Sequence, residues 1–286
     1  MPESVTLPGG LKIDYWSHHP DKTPTIVMFH GFTGSHRGFR CFEPLLSDFH
    51  LIIPDIPGFG SSDLPQQHDW SIERLAVLMN QFIAQLDLPQ PPILLGHSMG
   101  GLIASSMIQQ QPTPHRQQII VISPVPTAIS GITDQRWVGY LCGRLYYGFG
   151  AKTGRLGMRV ISSKFMSRFT AFGLIKTADT DIRRQIYQHG LYDLDVSSTD
   201  FYRAIYQEIS QHGMINYADS LRQKDLLLIT GQQDNVTPLK HIEHLAQAID
   251  PQSLVTIPGA GHLIIYEKVP ETVEAITQFI ADKSMS

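Results

Sequence analysis

The sequence predicts an α/β fold with a mostly parallel, doubly wound sheet, and three observations lead to that prediction. Apolar runs without alternation, such as residues 25–29 and 93–95, indicate strands that are buried on both faces. Segments with helical periodicity separate these runs along the chain. A turn at residues 8–10 divides two short strand patterns, residues 5–7 and 11–15, and predicts an antiparallel hairpin at the start. A chain of 286 residues suits one large α/β domain with an insertion, or two small domains.

The elements after the hairpin follow in a regular order. Residues 51–53 form a second uninterrupted apolar run after residues 25–29. Ser71 is a typical helix N-cap, and apolar residues at helical spacing follow it: Ile72, Leu75, Ala76, Met79, Phe82, Ile83 and Leu86. Further strand patterns lie at residues 119–122, 226–230 and 254–257. Helices begin after Pro238 and near Pro270, since proline is favoured in a first helical turn.

One segment interrupts the alternation of strands and helices. Residues 127–222 show helical patterns, many aromatic residues and no convincing strand. An insertion after the strand at residues 119–122 would lie over the carboxyl edge of the sheet, where ligands bind in such folds. We therefore expect a helical cap, or lid, of residues 127–222, inserted after the sixth strand into a core domain of residues 1–126 and 223–286.

Composition and charge are those of an ordinary soluble globular protein. The chain is 42% hydrophobic and 17% charged, and its net charge of −4 gives no overall attraction to nucleic acid, so we expect no nucleic-acid partner. Cys41 and Cys142 lie far apart and match no metal or redox spacing, which favours free thiols in a reducing compartment. No signal-peptide pattern and no run of membrane-spanning length is present, so we expect a cytoplasmic protein.

The residues that carry chemistry centre on Gly96-His97-Ser98-Met99-Gly100, which has the form G-x-S-x-G. A buried strand pattern precedes this motif and a helical pattern follows it. In such a sharp turn the serine hydroxyl projects from the carboxyl edge of the sheet beside a helix N-terminus. Short motifs of this kind occur by chance, but the flanking strand and helix favour Ser98 as a nucleophile.

A nucleophilic serine needs a base within hydrogen-bond reach and a third group that holds the base. Among the 13 histidines, His262 follows the strand pattern at residues 254–257 through a glycine-rich loop, so it reaches the edge where Ser98 emerges. Asp234 follows the preceding strand pattern, at residues 226–230, and is the predicted acid. An ordinary role for Asp234 as a loop aspartate that caps the next helix is the alternative.

A tetrahedral intermediate also needs donors for its oxyanion. We expect the backbone N–H of Met99, directly after the nucleophile, to be one donor and that of Phe32, in the loop after residues 25–29, to be the other. Gly31 lets this loop turn towards the site, His30 braces it, and His97 packs beside the nucleophile, so these three residues are assigned to the substrate pocket. A metal site at His30 and His97 lacks further ligands at suitable spacing, and we expect no metal.

Five motifs together resemble the α/β-hydrolase fold superfamily, in its branch of small serine hydrolases with a helical cap. They are HGFTGS at 30–35, PDIPGFGSSD at 54–63, GHSMGG at 96–101, GQQDNVTP at 231–238 and PGAGHL at 258–263. The resemblance covers residues 11–280 and implies the triad Ser98, Asp234 and His262, with Phe32 and Met99 as oxyanion donors. It also implies that Gly58, Gly60 and Ser61 line the floor of the site. Relatives with an aspartate nucleophile do not fit, because Ser98 occupies that position.

The predicted cap carries an uneven charge distribution that bears on the substrate. Residues 135–178 contain no acidic residue, and Lys152, Arg155 and Arg159 share one helical face. The spacing of Phe165, Phe169 and Phe172 gives an apolar face. A solvated basic surface over an apolar underside is the simplest interpretation; an anionic substrate, an acidic acyl-carrier partner or contact with an anionic membrane surface are the alternatives.

The leading functional hypothesis is a serine hydrolase that cleaves a small or medium-sized carboxylic ester or lactone through an acyl-enzyme on Ser98. It needs no cofactor, and we expect none. From the same resemblance, carbon–carbon bond hydrolysis and acyl transfer remain alternatives. A ligand-sensing or partner-binding protein that keeps the triad is the non-enzyme alternative, because fold alone does not determine function.

Overall fold

The computed structural model describes residues 2–66, 70–111, 117–129, 174–192, 199–222 and 224–284. Eight strands form one sheet within these ranges. Their bounds are β1 Glu3–Thr6, β2 Lys12–His18, β3 Thr25–Phe29, β4 His50–Pro54, β5 Ile93–His97, β6 Gln118–Ile122, β7 Asp225–Gly231 and β8 Ser253–Ile257. The predicted hairpin is present, but its two strands have different bounds from those predicted. Leu7 and Leu11 belong to the turn, where the N–H of Leu7 donates to the carbonyl of Leu11 at 2.8 Å.

The sheet is mostly parallel, as predicted. Its strand order is β1-β2-β4-β3-β5-β6-β7-β8, and β2 pairs antiparallel with both β1 and β4. All other pairs are parallel, with Phe29 opposite Gly96 and Gly96 opposite Val121. The carboxyl ends of β3, β5, β6, β7 and β8 therefore meet at one edge of the sheet, and the loops that follow these strands are neighbours.

Helices cover both faces of the sheet in the described ranges. They are α1 Ile72–Gln85, α2 Met99–Gln110, α3 Thr180–Tyr192, α4 Thr199–Gln211, α5 Ala218–Leu221, α6 Leu239–Ile249, α7 Ile264–Glu267 and α8 Val269–Ser284. Short 3₁₀ segments lie at His36–Phe39, Glu43–Leu45 and Met214–Tyr217. The hydroxyl of Ser71 accepts the N–H of Arg74 at 3.1 Å and caps α1, as its sequence position predicts. No helix in the described ranges has both the length and the apolar content that a bilayer span requires.

Alternate residues of the central strands belong to two separate hydrophobic clusters. In β5, Leu94 packs in the cluster that contains α1, α2 and α6, whereas Ile93 and Leu95 pack in the cluster that contains α8. This alternation explains why the strand sequences are apolar without interruption: each side chain enters one core or the other.

The described part of the predicted cap packs against the core helices. Phe201, Ile205 and Ile209 of α4 are buried in the same cluster as α1 and α2, together with Met214 and Leu221. The predicted basic face (Lys152, Arg155 and Arg159), the apolar face (Phe165, Phe169 and Phe172) and Cys142 lie outside the described residues. The division of the chain at residues 127 and 222 stays a prediction.

Candidate active site

The turn between β5 and α2 places Ser98 at the edge of the sheet. Ser98 has φ 52° and ψ −115°, a conformation that residues with a Cβ rarely adopt. The glycines on either side allow the turn, because a Cβ on Gly96 would meet the backbone of Gly100, and a Cβ on Gly100 would meet the carbonyl of Phe29. The side chain of Ser98 is half-buried, whereas the flanking His97 and Met99 are buried.

The structure brings Ser98, His262 and Asp234 into one hydrogen-bonded row. Nε2 of His262 lies 3.0 Å from Oγ of Ser98, and Nδ1 lies 2.8 Å from Oδ2 of Asp234. An ionised carboxylate only accepts, so Nδ1 of His262 carries the hydrogen and Nε2 is left to accept the serine proton. His262 is 8% exposed and Asp234 is 4% exposed, which limits competition from water.

Asp234 is held in the loop after β7 by its own following residues. Its Oδ1 accepts the N–H groups of Val236 and Thr237 at 2.8 and 2.9 Å, and its Oδ2 accepts the Thr237 hydroxyl at 2.9 Å. Burial alone would raise the pKa of Asp234, but the His262 imidazole and these donors outweigh it and hold the pKa below its ordinary value. The carboxylate is therefore ionised at neutral pH.

The loop that carries His262 is fixed through its backbone. The carbonyl of Ala260 accepts the N–H of Gln233 at 2.8 Å, which joins this loop to the loop of Asp234. The carbonyl of His262 accepts two side-chain bonds, from Nε2 of His97 at 3.1 Å and from Oγ of Ser123 at 3.2 Å. Ser123 lies directly after β6, but no spacing in the sequence marks it as a partner of His262.

His97 is buried beside the nucleophile and contacts the backbone of two neighbouring loops. Its ring lies between the carbonyl of His262 and the backbone of Gly31, where an added Cβ would come within 2.8 Å of His97 Nδ1. Burial, together with repulsion from His262, lowers the pKa of His97 to about 3. His97 is therefore neutral at physiological pH.

The loop after β3 lies directly beside the nucleophile. The ideal Cβ of Gly31 would be 3.4 Å from Cβ of Ser98 and 2.8 Å from Nδ1 of His97, and the second distance is too short for any residue that has a Cβ. Met99 is the first residue of α2, and the N–H groups of a first helical turn have no carbonyl partner within the helix. The ring of Phe32 packs against Tyr202 and Tyr206 of α4, with ring centroids 5.4 and 5.8 Å apart. The role of Phe32 and Met99 as oxyanion donors stays a prediction.

His30 connects this loop to the loop after β4. Its Nε2 accepts the N–H of Ile56 at 3.0 Å, so Nδ1 carries the hydrogen and donates it to the carbonyl of Gly31 at 2.9 Å. Burial lowers the pKa of His30, which keeps the ring neutral and preserves this tautomer.

The predicted floor loop is organised around Asp55, a residue that the sequence analysis did not single out. Its buried carboxylate accepts the N–H and the hydroxyl of Ser61 at 2.9 and 3.0 Å, and the N–H of His36 at 2.7 Å. Gly58 lies against the ring of Phe201 in α4, and Gly60 lies against the carboxylate of Asp55. Within the described ranges, no group of three or more His, Cys, Asp or Glu side chains is arranged to hold a metal ion.

A model of a protein family matches most of this chain. The family model described as "alpha/beta hydrolase fold" matches residues 24–269. The chain belongs to the alpha/beta hydrolase fold family.

Relatives of this alpha/beta hydrolase are similar over most of its length. Monoacylglycerol lipase ABHD6 of Homo sapiens is 26% identical over 269 residues, which cover 92% of this chain and 77% of the relative. The uncharacterized hydrolase YugF of Bacillus subtilis is 25% identical over 289 residues, which cover 95% of this chain and 95% of the relative.

Solved structures share the fold of this alpha/beta hydrolase. A thermophilic esterase from Thermogutta terrifontis superposes with a TM-score of 0.74 at 21% identity, and 99% of each chain is covered. An N-acyl homoserine lactonase, AidH, superposes with a TM-score of 0.74 at 16% identity, over 100% of this chain and 99% of its own.

Proposed function

We propose that the protein is a serine hydrolase that cleaves a carboxylic ester or lactone through an acyl-enzyme on Ser98. The observation that carries this proposal is the continuous row of contacts from Ser98 Oγ through the two ring nitrogens of His262 to Asp234, at 3.0 and 2.8 Å. Family membership and the names of relatives, a monoacylglycerol lipase and an esterase, support an ester as the substrate class.

In the first half-reaction, Oγ of Ser98 attacks the acyl carbon as its proton passes to Nε2 of His262. The carbonyl π bond opens to give a tetrahedral oxyanion, which the N–H groups of Met99 and Phe32 would stabilise. The carbonyl re-forms, the ester C–O bond breaks, and the imidazolium gives its proton to the departing alkoxide.

In the second half-reaction, His262 takes a proton from water, and the hydroxide attacks the acyl-enzyme. Collapse of the second tetrahedral intermediate releases the carboxylic acid and returns the proton to Ser98. Asp234 remains ionised throughout, holds the hydrogen on Nδ1 of His262 and stabilises the imidazolium.

Aromatic residues beside the loop after β3 favour an apolar acyl or alcohol group. Phe32 and Tyr206 are both half-buried, and they pack together next to the glycine that approaches Ser98. A small-molecule ester or lactone with an apolar portion suits such surroundings. An anionic substrate or an acidic acyl-carrier partner would depend on basic residues of the predicted cap that lie outside the described ranges.

A panel of 4-nitrophenyl esters from acetate to decanoate, with an acyl homoserine lactone, tests the proposal. We expect ester turnover by the wild type and a loss on the order of 10⁶-fold in kcat for Ser98→Ala. Ser105→Ala is the matched control, because it removes a buried hydroxyl from α2, the helix that follows Ser98, and this hydroxyl donates to the carbonyl of Gly101 at 2.7 Å. Turnover that survives Ser98→Ala would overturn the mechanism. Labelling of Ser98 by a fluorophosphonate without turnover of any ester or thioester would favour the ligand-sensing alternative.

A further inference from the structure

Glu267, the last residue of α7, has a buried carboxylate that joins two separate parts of the chain. Its Oε1 accepts the N–H groups of Lys176 and Thr177, the latter at 3.0 Å. Its Oε2 accepts the N–H of Gly261 at 3.1 Å. The residue is 8% exposed, so these three bonds satisfy a charge that is largely removed from water.

All three partners of Glu267 are backbone N–H groups, which only donate. Both carboxylate oxygens must therefore accept, and an ionised carboxylate is the side-chain group of this length that can do so. An amide in the same place would turn its NH₂ group towards one of the two sets of donors. At least one of the hydrogen bonds from Lys176, Thr177 and Gly261 would then be lost.

The two parts that Glu267 joins also touch each other directly. An ideal Cβ on Gly261 would lie 2.8 Å from Cγ of Lys176 and 3.0 Å from the carbonyl oxygen of Leu174. Residues 174–177 therefore pass over Gly261, which is a buried glycine at the position before His262. The absence of a side chain on Gly261 makes the contact between the two segments possible.

The hydrogen bond between Gly261 and Glu267 lies directly before His262, the candidate catalytic base. The N–H of Gly261 is fixed by Glu267, and the carbonyl of His262 is fixed by His97 and Ser123. These anchors hold the Gly261–His262 dipeptide at its beginning and at its end. The imidazole of His262 must lie within hydrogen-bond reach of both Ser98 and Asp234. Small displacements of a catalytic group lower the rate by large factors.

We propose that Glu267 is a positioning residue that couples residues 174–177, which lie in the predicted cap, to the orientation of His262. The inference rests on the proposed function, since it gives Glu267 a role in the reaction at Ser98. Glu267 acts through the peptide of Gly261 and does not touch the substrate or the reacting atoms.

Glu267→Gln tests the proposal, with Glu271→Gln as the matched control. Glu271 is exposed, lies four residues further on and accepts a hydrogen bond from Nζ of Lys268 at 3.0 Å. We expect Glu267→Gln to lower kcat for a 4-nitrophenyl ester by about tenfold, with KM within about twofold of the wild type. The rate constant for fluorophosphonate labelling of Ser98 should fall by the same factor, while the fraction of labelled protein at completion stays at one. Glu271→Gln should change none of these quantities.

Gly261→Ala disturbs the same contact between residues 174–177 and Gly261 by adding a methyl group. It provides the test if Glu267→Gln does not fold. The added methyl group must displace Leu174 and Lys176, so we expect the same signature: a lower kcat and labelling rate at unchanged KM. If both variants fold, their combined effect should be less than the product of the single effects, because both disrupt one contact.

The outcomes separate the inference from the proposed function. Equal kcat and labelling rates in Glu267→Gln and Glu271→Gln, with an active wild type, would overturn the inference alone. If the loss of activity in Glu267→Gln equals its loss of labelled sites, that variant has unfolded and Gly261→Ala decides: a kcat and labelling rate equal to those of the wild type in folded Gly261→Ala would overturn the inference. A wild type that hydrolyses neither an ester nor a lactone would overturn the proposed function, and the labelling rates would then still test whether Glu267 positions His262.

Discussion

Nε2 of His97 donates to the carbonyl oxygen of His262 at 3.1 Å, which links the residue before the candidate nucleophile to the candidate base. A carbonyl oxygen only accepts, so Nε2 of His97 carries a hydrogen. The ring lies in a buried position where its charged form is strongly disfavoured, and its pKa falls to about 3. His97 is therefore neutral in the folded protein, and its protonation would place a positive charge beside His262.

Stability should fall as the pH is lowered through the ordinary pKa of histidine. His97 has a pKa of about 3 in the folded protein and about 6.5 when unfolded, so between these values the unfolded chain binds the additional proton. The free energy of unfolding then decreases by up to about 1.4 kcal/mol for each pH unit below 6.5. His30, whose pKa is also lowered, contributes in the same direction.

His97→Gln isolates the contribution of His97, because the glutamine amide keeps a donor but does not titrate. Urea unfolding between pH 4.5 and 6.5 gives the slope of the free energy of unfolding against pH, and this slope should be smaller for the variant than for the wild type by up to about 1.4 kcal/mol per pH unit. Equal slopes for the two proteins would contradict the assignment of a buried, neutral His97.

Asp234→Asn should lower kcat by about 10⁴-fold with little change in fold. Oδ1 of Asp234 accepts two N–H groups, so the oxygen of the new amide would remain there and its NH₂ would face Nδ1 of His262. His262 would then accept at Nδ1 and carry its hydrogen on Nε2, where it cannot take the proton of Ser98. Ester hydrolysis and circular dichroism together check this prediction; Asp219→Asn, at an exposed residue paired with Arg222, is the control.

Gly31→Ala should impair activity and stability together. The new Cβ would lie 2.8 Å from Nδ1 of His97, whose ring is anchored at its other nitrogen, and 3.4 Å from Cβ of Ser98. We expect a loss of roughly 10²-fold in kcat from displacement of the loop, and a stability cost of about 1–3 kcal/mol from overpacking. Gly38→Ala is the comparison, because its Cβ would meet the ends of the Ile265 and Tyr266 side chains at ordinary contact distances of 3.4 and 3.5 Å. A fully active Gly31→Ala variant would show that the loop tolerates movement.

Phe201→Ala should destabilise the whole core by about 3–5 kcal/mol. Phe201 lies in α4, within the predicted cap, but it is fully buried and packs with Phe59 and Trp70 at centroid distances of 5.3 and 5.5 Å. Urea unfolding followed by tryptophan fluorescence and by circular dichroism should shift as one transition. Leu45→Ala, at a side chain that is 48% exposed, should change stability by less than about 0.5 kcal/mol. Two separate transitions would mean that α4 unfolds independently of the core.

The sequence predicted those features of the fold and site that follow from the order of the strands along the chain. The sheet and the juxtaposition of Ser98, Asp234 and His262 could be predicted because parallel strands bring the loops at their carboxyl ends together. The strand bounds agree at residues 25–29 and differ elsewhere by up to three residues, since the ends of strands depend on hydrogen bonds such as that between Leu7 and Leu11.

Contacts that depend on tertiary packing could not be predicted in this way. Glu267, Asp55 and Ser123 hold the site through backbone groups of distant residues, and no spacing in the sequence marks such partners. Amphipathic spacing shows that a helix such as α4 buries one face, but it does not show what covers that face. The contact of Phe201 with Phe59 therefore became visible only in the folded chain.

The backbone conformation of Ser98 serves the proposed reaction but lowers the stability of the fold. Its φ of 52° and ψ of −115° belong to a region that glycine adopts freely and serine does not, at a cost of order 1–3 kcal/mol. Ser98→Gly should therefore give a more heat-resistant protein that has lost its hydroxyl. The most favourable residue for the fold at this position is one that could carry out no chemistry, so selection for thermal tolerance alone would remove the reactive group.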